Sequence, residues 1–285
     1  MKQVTMFISL LLVFLLFSGI SGAAEKTPGL VMASTIGPID AGIVDALEKA
    51  FEKETGISVR HIGAGTGAAL DIGRKGTVDL VMVHAKALEE KFVAEGYGVK
   101  RYPFMYNDFV ILGPAEDPAG IKGMKSATEA LRKIASSNAL FITRGDKSGT
   151  HVAEMILWEK AGLKPNGPWY KTYEKGNTGN APTLKYTDQQ SGYTVIDRAT
   201  FLTLQKSIKL VVLVENDEIL LNFISLIPVN PEKFPTIKYK EALTFINWLT
   251  DPDKGQLIVR DFGKNTFGSP LFFPNSEAWK AAQKK

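Results

Sequence analysis

Apolar positions in the first part of the chain alternate between short continuous runs, typical of buried strands, and the helical spacing of amphipathic helices. This pattern predicts, in order, strand GLVMAST, helix IDAGIVDALEKAFEKETG, strand ISVRHI, short helix AALDIGRKG, strand VDLVMVH, helix ALEEKFVAEGYG and strand FVILGP. The first helix should end at Gly56. Alternating strands and helices indicate a parallel α/β architecture, in which ligands bind at the carboxyl ends of strands.

The second part of the chain repeats this pattern with more loops. It predicts helix ATEALRKIASS, strand ALFIT, helix HVAEMILWEKAG, strand and helix YTVIDRATFLTLQ, strands LVVLVEN and LLNFISLIPVN, and closing helices YKEALTFINWLT and DKGQLIVRDFG. Helix HVAEMILWEKAG carries Val152, Met155, Ile156 and Ala161 on one side, and KPNGPWYKTYEKGNTGNAPTLKYTDQQ is rich in loop residues. Two α/β units and a returning third segment predict two lobes.

The first 24 residues have a different composition from the rest. Lys2 supplies a positive start, Met6–Phe17 is almost wholly apolar, and small residues lead to Ala24. We expect residues 1–24 to be a cleavable secretory signal peptide, with an uncleaved membrane anchor as the alternative. The apolar run is short for a membrane span. The mature chain should then be periplasmic or extracellular.

Composition narrows the class of protein further. The chain has 285 residues, of which 45% are hydrophobic and 22% charged, and its formal net charge is +4. It has no cysteine, which excludes disulfides, thiol catalysis and a lipid-modified N-terminal cysteine. Lysine and arginine are scattered among acids, so we expect no nucleic-acid partner. A mildly positive protein suits a small anion.

Two of the predicted strand-to-helix turns are rich in hydroxyls and glycine. Ser34 and Thr35 end the first strand, where a hydroxyl could cap the next helix or point into a cleft. The turn GAGTGAAL fits a dinucleotide fingerprint, but the acid expected about twenty residues later is missing. It is therefore either a tight turn or a site where N–H groups near Thr66 and Gly67 face an anion.

A third turn, RGDKSGT, carries more charge than the other two. Arg144 could bind an oxyanion in a bidentate manner, and Ser148 and Thr150 stand at a helix start. Alternatively, Asp146 pairs with Arg144 and a side chain caps the helix. Residues 144–146 match the RGD cell-adhesion motif, but we interpret this match of three residues as a coincidence. A catalytic set of Asp146, Ser148 and His151 is disfavoured because triad members usually come from separate segments.

Metal and cofactor sites have weak sequence support. The three histidines, His61, His84 and His151, are far apart, without a His-x-x-x-His pair or clustered carboxylates. No acid pair is suited to glycoside hydrolysis. We therefore expect no metal, no cofactor and no enzyme activity, and three polar turns favour a small-oxyanion binder.

Several long stretches resemble one known family. GAGTGAAL, MYNDFVILGP, FITRGDKSGTH and YTVIDRATFL are similar to the periplasmic tungstate-binding proteins of the Tup-type ABC importer, which are type II periplasmic binding proteins. The resemblance implies an α/β fold of two lobes, each a mixed sheet flanked by helices, with two crossover segments. Lobe one would comprise residues 25–108 and 227–285, and lobe two residues 109–226.

The same resemblance implies the ligand and the partner. We expect a monomer that binds tungstate or molybdate through donors alone and then docks on a membrane permease. The expected ligand-binding residues are Ser34, Thr35, Gly37, Thr66, Gly67, Arg144, Ser148 and Thr150. The family typically has T-T-T-S in its first turn, whereas this chain has Ser34, Thr35, Ile36 and Gly37. There are therefore three alternatives to a tungstate importer protein. The same fold could bind another anion such as an organic carboxylate, it could serve as a sensor, or the chain could be a secreted hydrolase.

Overall fold

The structure, a computed structural model, describes residues 29–284. The predicted signal peptide and the first residues of the predicted mature chain lie outside this range. Among residues 29–284, no helix is both long and apolar enough to cross a bilayer.

Strands and helices alternate along most of this range. The strands of residues 29–284 are β1 Leu30–Thr35, β2 Val59–Ala64, β3 Leu80–Val83, β4 Tyr102–Gly113, β5 Phe141–Thr143, β6 Tyr170–Thr172, β7 Thr194–Asp197, β8 Val211–Val214, β9 Leu221–Pro228 and β10 Phe273–Pro274. The helices of the same range are α1 Ile36–Asp40, α2 Ile43–Thr55, α3 Thr66–Arg74, α4 Lys86–Ala94, α5 Ala127–Ser136, α6 Gly149–Lys160, α7 Asn180–Gln189, α8 Arg198–Leu204, α9 Tyr239–Thr250, α10 Gly255–Asp261, α11 Lys264–Phe267 and α12 Glu277–Ala282.

The sheet of lobe one has the strand order β10-β4-β9-β3-β1-β2. Strand β1 pairs in parallel with β2 and β3, and β9 pairs antiparallel with β3 and β4. Thr35 at the end of β1 is opposite Ala64 at the end of β2. Because parallel strands end at the same edge of a sheet, the first two polar turns lie side by side.

Strand β4 belongs to both lobes. Its first part, to Asp108, pairs with β9, and its last part, from Phe109, pairs antiparallel with β7 and β8. The chain therefore enters lobe two within one continuous strand, and β9 brings it back to β3. The predicted two-lobed α/β fold with mixed sheets is confirmed, whereas the predicted residue limits of the lobes remain a prediction.

Each lobe has its own apolar core. In lobe one, the fully buried Phe51 packs against Phe245 and Trp248 with ring centroids 4.7 and 5.6 Å away. In lobe two, Phe141 packs edge-on against Trp158 at 5.1 Å. The core of lobe one thus unites the first and last parts of the chain, with lobe two inserted between them.

The helix predicted to end at Gly56 does so, since Gly56 follows α2 with a φ of 74°. The stretch expected to be loop-rich contains helix α7, so that expectation is wrong in part. Threonine hydroxyls on α7 bond to carbonyl oxygens of the preceding turn, from Thr183 to Gly179 at 2.8 Å and from Thr187 to Thr183 at 2.9 Å. Helical spacing was hidden because polar residues fill most of this helix.

Most of the apolar residues that share one side of α6 are exposed. Ala161 is buried, but Val152, Met155 and Ile156 are 48%, 39% and 44% exposed. The buried residues of α6 are Thr150, Glu154, Leu157 and Trp158.

A buried hydrogen-bonded carboxylate explains this orientation of α6. Glu154 accepts hydrogen bonds from Thr143 Oγ1 at 2.7 Å, Trp158 Nε1 at 3.1 Å and Tyr170 OH at 2.7 Å. A buried carboxylate is tolerated where such donors surround it. Burial still raises the pKa of Glu154 to about 7, despite these three donors.

Candidate functional site

A cleft of about 650 Å³ lies between the two lobes. Lobe one lines it with the turns after β1 and β2, and lobe two with the first residues of α6, α7 and α8. First-turn N–H groups of a helix lack partners within the helix, and the helix dipole is positive at that end. The cleft is therefore surrounded by groups that favour an anion.

Six of the eight predicted binding residues line this cleft. They are Thr35, Gly37, Thr66, Arg144, Ser148 and Thr150. Ser34 is fully buried, and its hydroxyl donates to the Thr35 carbonyl at 3.2 Å. Gly67 lies instead in a shallow surface depression with Asp71 and Arg74. The structure thus brings three distant turns together but places Ser34 and Gly67 away from the cleft lining.

Two threonine hydroxyls of the cleft have no hydrogen-bond partner in the part of the chain that the structure describes. The Oγ1 atoms of Thr35 and Thr66 are buried and have no hydrogen-bond partner among the described residues. Thr35 precedes α1, yet its side chain does not cap that helix. An unsatisfied buried hydroxyl costs free energy, so such groups are usually paired. Both hydroxyls belong to residues lining one cleft, so a ligand there could be their acceptor.

The guanidinium of Arg144 is held in place on three sides. Its Nη2 donates to Asp146 at 2.6 Å, its Nε donates to the Gly176 carbonyl at 3.2 Å, and its Nη1 donates to Asn180 Oδ1. Asn180 in turn donates to Asp197 Oδ2 at 2.6 Å. An arginine has five N–H groups. Two of them are therefore without a protein partner in residues 29–284 and remain for a ligand.

Asp146 has a structural part in the third turn. It accepts from the Ser148 N–H at 3.1 Å as well as from Arg144. Burial acts to raise the pKa of Asp146, but the hydrogen bonds from Ser148 and the charge of Arg144 outweigh it and lower the pKa. Asp146 therefore stays ionised and fixes the turn, as one of the sequence alternatives proposed.

The catalytic arrangement considered for this turn lacks its central hydrogen bond. His151 Nδ1 accepts from the Lys147 N–H at 2.8 Å, and Ser148 Oγ accepts from the His151 N–H at 3.4 Å. Burial lowers the pKa of His151. A nucleophile would need its hydroxyl proton directed at a ring nitrogen of the base. Ser148 instead caps α6, and its side chain hydrogen-bonds to the carboxylate of Asp146.

The floor of the cleft contains residues that sequence reasoning missed. Asn107 of β4 and Asn222 of β9 are opposite each other, and Asn222 Nδ2 donates to Asn107 Oδ1 at 2.7 Å. His84, beside Asn222, has its pKa lowered by burial, so its imidazole is neutral near pH 7. A single asparagine within each apolar crossing strand was the available sequence signal. Asn180 was missed because it stands in the stretch interpreted as loop.

Carboxylates also line the cleft, whereas the expectation that the ligand is bound by donors alone remains a prediction. Asp197 caps α8 by accepting from the Thr200 N–H at 2.8 Å and its hydroxyl at 2.7 Å. Asp40 of α1 lines the same space. Burial raises the pKa of Asp40, and the charge of Asp197 raises it further. A ligand group reaching Asp40 would need to offer a proton or a cation.

Comparison with known proteins adds independent information. The PBP superfamily domain matches residues 22–253. The tungstate-binding protein TupA of Peptoclostridium acidaminophilum is 39% identical over 260 residues, which are 90% of this chain and 90% of that protein.

Two solved structures are similar over most of the chain. The tungstate-binding protein TupA from Desulfovibrio alaskensis G20 is 42% identical, with a TM-score of 0.80, covering 88% of this chain and all of that one. The tungstate ABC transporter structure from Geobacter sulfurreducens is 44% identical, with a TM-score of 0.69, covering 79% of this chain and 94% of that one.

Proposed function

This chain belongs to the PBP superfamily, and from that premise we propose that it is the solute-binding protein of an ABC importer. Its ligand is a small oxyanion, tungstate or molybdate, bound in the cleft between the lobes. The relatives named as tungstate-binding proteins support this ligand class. The binding residues in the proposal are Thr35, Gly37, Thr66, Arg144, Ser148 and Thr150, with Ser34 and Gly67 supporting their turns.

The observation that carries the proposal is the pair of unpartnered hydroxyls of Thr35 and Thr66. Each is a donor in need of an acceptor, and the oxygens of a tetrahedral oxyanion are acceptors in several directions. The two free N–H groups of Arg144 and the first-turn N–H groups of α6 approach from the opposite lobe. An oxyanion would satisfy donors from both lobes at once.

Binding from both lobes implies that the ligand favours the closed arrangement. Changing a protein from mostly open to mostly closed requires roughly 5 kcal/mol of differential affinity. Hydrogen bonds to a charged group contribute about 1.5–3 kcal/mol each. Two or three bonds made only in the closed form, beginning with those of the two free N–H groups of Arg144, are sufficient.

The cellular setting follows from the same proposal. The predicted signal peptide would direct the protein to the periplasm without a lipid anchor. The closed, loaded protein would act as a monomer and deliver its anion to a membrane permease. Catalysis has no part in the proposal, because Ser148 and His151 lack the hydrogen bond that activates a nucleophile.

Asp40 supports a second candidate ligand class. A cleft of 650 Å³ is within the size range of pockets for organic molecules, roughly 300–1,000 Å³. Asp40 could accept a hydrogen bond from a hydroxyl of an organic anion, and Ile36, half exposed at the cleft, could contact its carbon atoms. A hydroxycarboxylate would use both features, whereas tungstate would use neither.

Calorimetric titration of the tag-free mature protein with tungstate, molybdate, sulfate and citrate tests the proposal. We expect one tungstate or molybdate per chain. The variant Arg144→Ala should weaken that binding by about 10- to 150-fold, the equivalent of one charge-assisted bond. Arg260→Ala, a change at an exposed arginine paired with Asp261, is the matched control and should leave affinity unchanged.

Two results would contradict the proposal. If Arg144→Ala binds tungstate as tightly as the unchanged protein, the site is elsewhere. If citrate binds and the three inorganic anions do not, the ligand belongs to the second class.

A further inference from the structure

Outside the cleft, the structure brings together three metal-ligating side chains that are separated in the sequence. Asp45 and Glu48 are on α2, three residues apart and so on one face of the helix, and His61 is on β2. One ligand atom from each lies within 4.8 Å of the other two. His61 Nδ1 is 3.0 Å from Glu48 Oε2 and 4.0 Å from Asp45 Oδ1. The sequence alone indicated no such cluster.

The cluster carries more negative charge than its surroundings balance. Neither Asp45 nor Glu48 forms an ion pair with lysine or arginine in residues 29–284, so the imidazole of His61 is their one ion-pair partner there. Glu48 is 9% exposed and cannot rely on water as a surface carboxylate would. Two carboxylates directed at one imidazole nitrogen form a site for a cation.

We propose that Asp45, Glu48 and His61 bind a divalent transition-metal ion of the Zn²⁺ type. An imidazole nitrogen with two carboxylates suits Zn²⁺, whose tetrahedral ligand atoms are about 3.3 Å apart. The His61 nitrogen is 3.0 and 4.0 Å from the two carboxylates, and all three ligand atoms lie within 4.8 Å of one another, so side-chain rotations would bring them to that geometry. Calcium and magnesium prefer oxygen ligands and would leave the imidazole unused.

Such an ion would join α2 to β2, an edge strand that pairs with β1. It would therefore stabilise lobe one, because a metal that binds only the folded state adds its binding free energy to stability. None of its three ligands lines the cleft. The metal site is therefore independent of the proposed oxyanion function, and its failure would leave that function standing.

The test is calorimetric titration of Zn²⁺ into tag-free mature protein that has been stripped with EDTA and exchanged into metal-free buffer. We expect one Zn²⁺ per chain and a rise in melting temperature. Cobalt in place of zinc should give the visible absorption of a tetrahedral site. Tungstate affinity, measured with and without Zn²⁺, should be unchanged.

Two variants locate the ion. His61→Gln and Asp45→Asn should each weaken Zn²⁺ binding at least about 10-fold. Even the loss of a residue that only supports a metal ligand typically weakens metal binding by about this factor. Asp45 is mostly exposed, so Asp45→Asn should fold normally, which circular dichroism would verify. Glu159→Gln, at an exposed acid of α6, is the matched control. Failure of the unchanged protein to bind Zn²⁺, or binding in both variants as strong as in the unchanged protein, would overturn the proposal.

Discussion

Replacing the unpartnered threonines by valine should affect stability and ligand affinity in opposite directions. Thr35→Val and Thr66→Val keep the branched shape of the side chain and remove only a hydroxyl that has no partner among residues 29–284. In the free protein this relieves an unsatisfied buried polar group. In the loaded protein it removes a hydrogen bond to the anion.

The magnitudes follow from the burial of these hydroxyls. Leaving a buried polar group unpaired costs about 1–3 kcal/mol, so each variant should be more stable by up to that amount without ligand. The hydrogen bond to a charged ligand is worth about 1.5–3 kcal/mol, so each variant should bind tungstate about 10- to 150-fold more weakly. The gain in stability and the loss of binding free energy are similar in size, so the two should largely cancel in the presence of saturating tungstate.

The assays are urea denaturation of the ligand-free protein and calorimetric titration with tungstate. Thr187→Val is the matched control, because Thr187 is fully buried but its hydroxyl donates to the Thr183 carbonyl at 2.9 Å. That variant should lose stability and keep its tungstate affinity. If Thr35→Val and Thr66→Val behave like Thr187→Val in both measurements, the reasoning from unpartnered hydroxyls is refuted.

Three further predictions concern other parts of the molecule. A Cβ on Gly149 would lie 2.8 Å from the ring of His84, so Gly149→Val should prevent the two lobes from approaching each other fully. X-ray scattering of this variant should show no compaction on addition of tungstate, and full compaction would contradict the prediction. Asn180→Ala removes a hydrogen-bond acceptor that holds Arg144 in place, and it should weaken tungstate binding about 10-fold in calorimetric titration. An unchanged affinity would show that Asn180 does not position Arg144. The pKa of Glu154 is raised from 4.5 to about 7, so its contribution to stability is greatest below pH 4.5 and declines as pH rises to 7. The free energy of unfolding should therefore fall by at most about 3 kcal/mol between pH 5 and pH 8, as measured by urea denaturation, and Glu154→Gln should remove most of this fall. An equal fall in the variant would disprove the prediction.

The spacing of apolar residues and the turn residues predicted those elements whose structure depends on residues close by in the sequence. Helix α2 was predictable because its buried residues repeat at helical spacing and Gly56 ends it. The buried face of α6 was not predictable, because Glu154 is directed inward by donors from Thr143 and Tyr170, which belong to other elements. Hydrophobicity alone assigns a glutamate to the surface.

The candidate site shows the same division. Arg144, Ser148 and Thr150 were visible as a polar turn between a strand and a helix, and all three line the cleft. The partners that orient Arg144 were not visible, because Asn180 is 36 residues away and approaches only after folding. The cluster of Asp45, Glu48 and His61 was hidden for the same reason.

The insertion of lobe two into lobe one determines the order in which the chain can fold. The core of lobe one needs Phe245 and Trp248 to cover Phe51, so it cannot be completed until almost the whole chain is available. Lobe two draws its core from the continuous stretch between Phe109 and Leu220 and can be completed earlier. Contacts distant in sequence form slowly because a long loop must close first. If the predicted signal peptide directs export, this delay would keep the first strands unfolded during translocation.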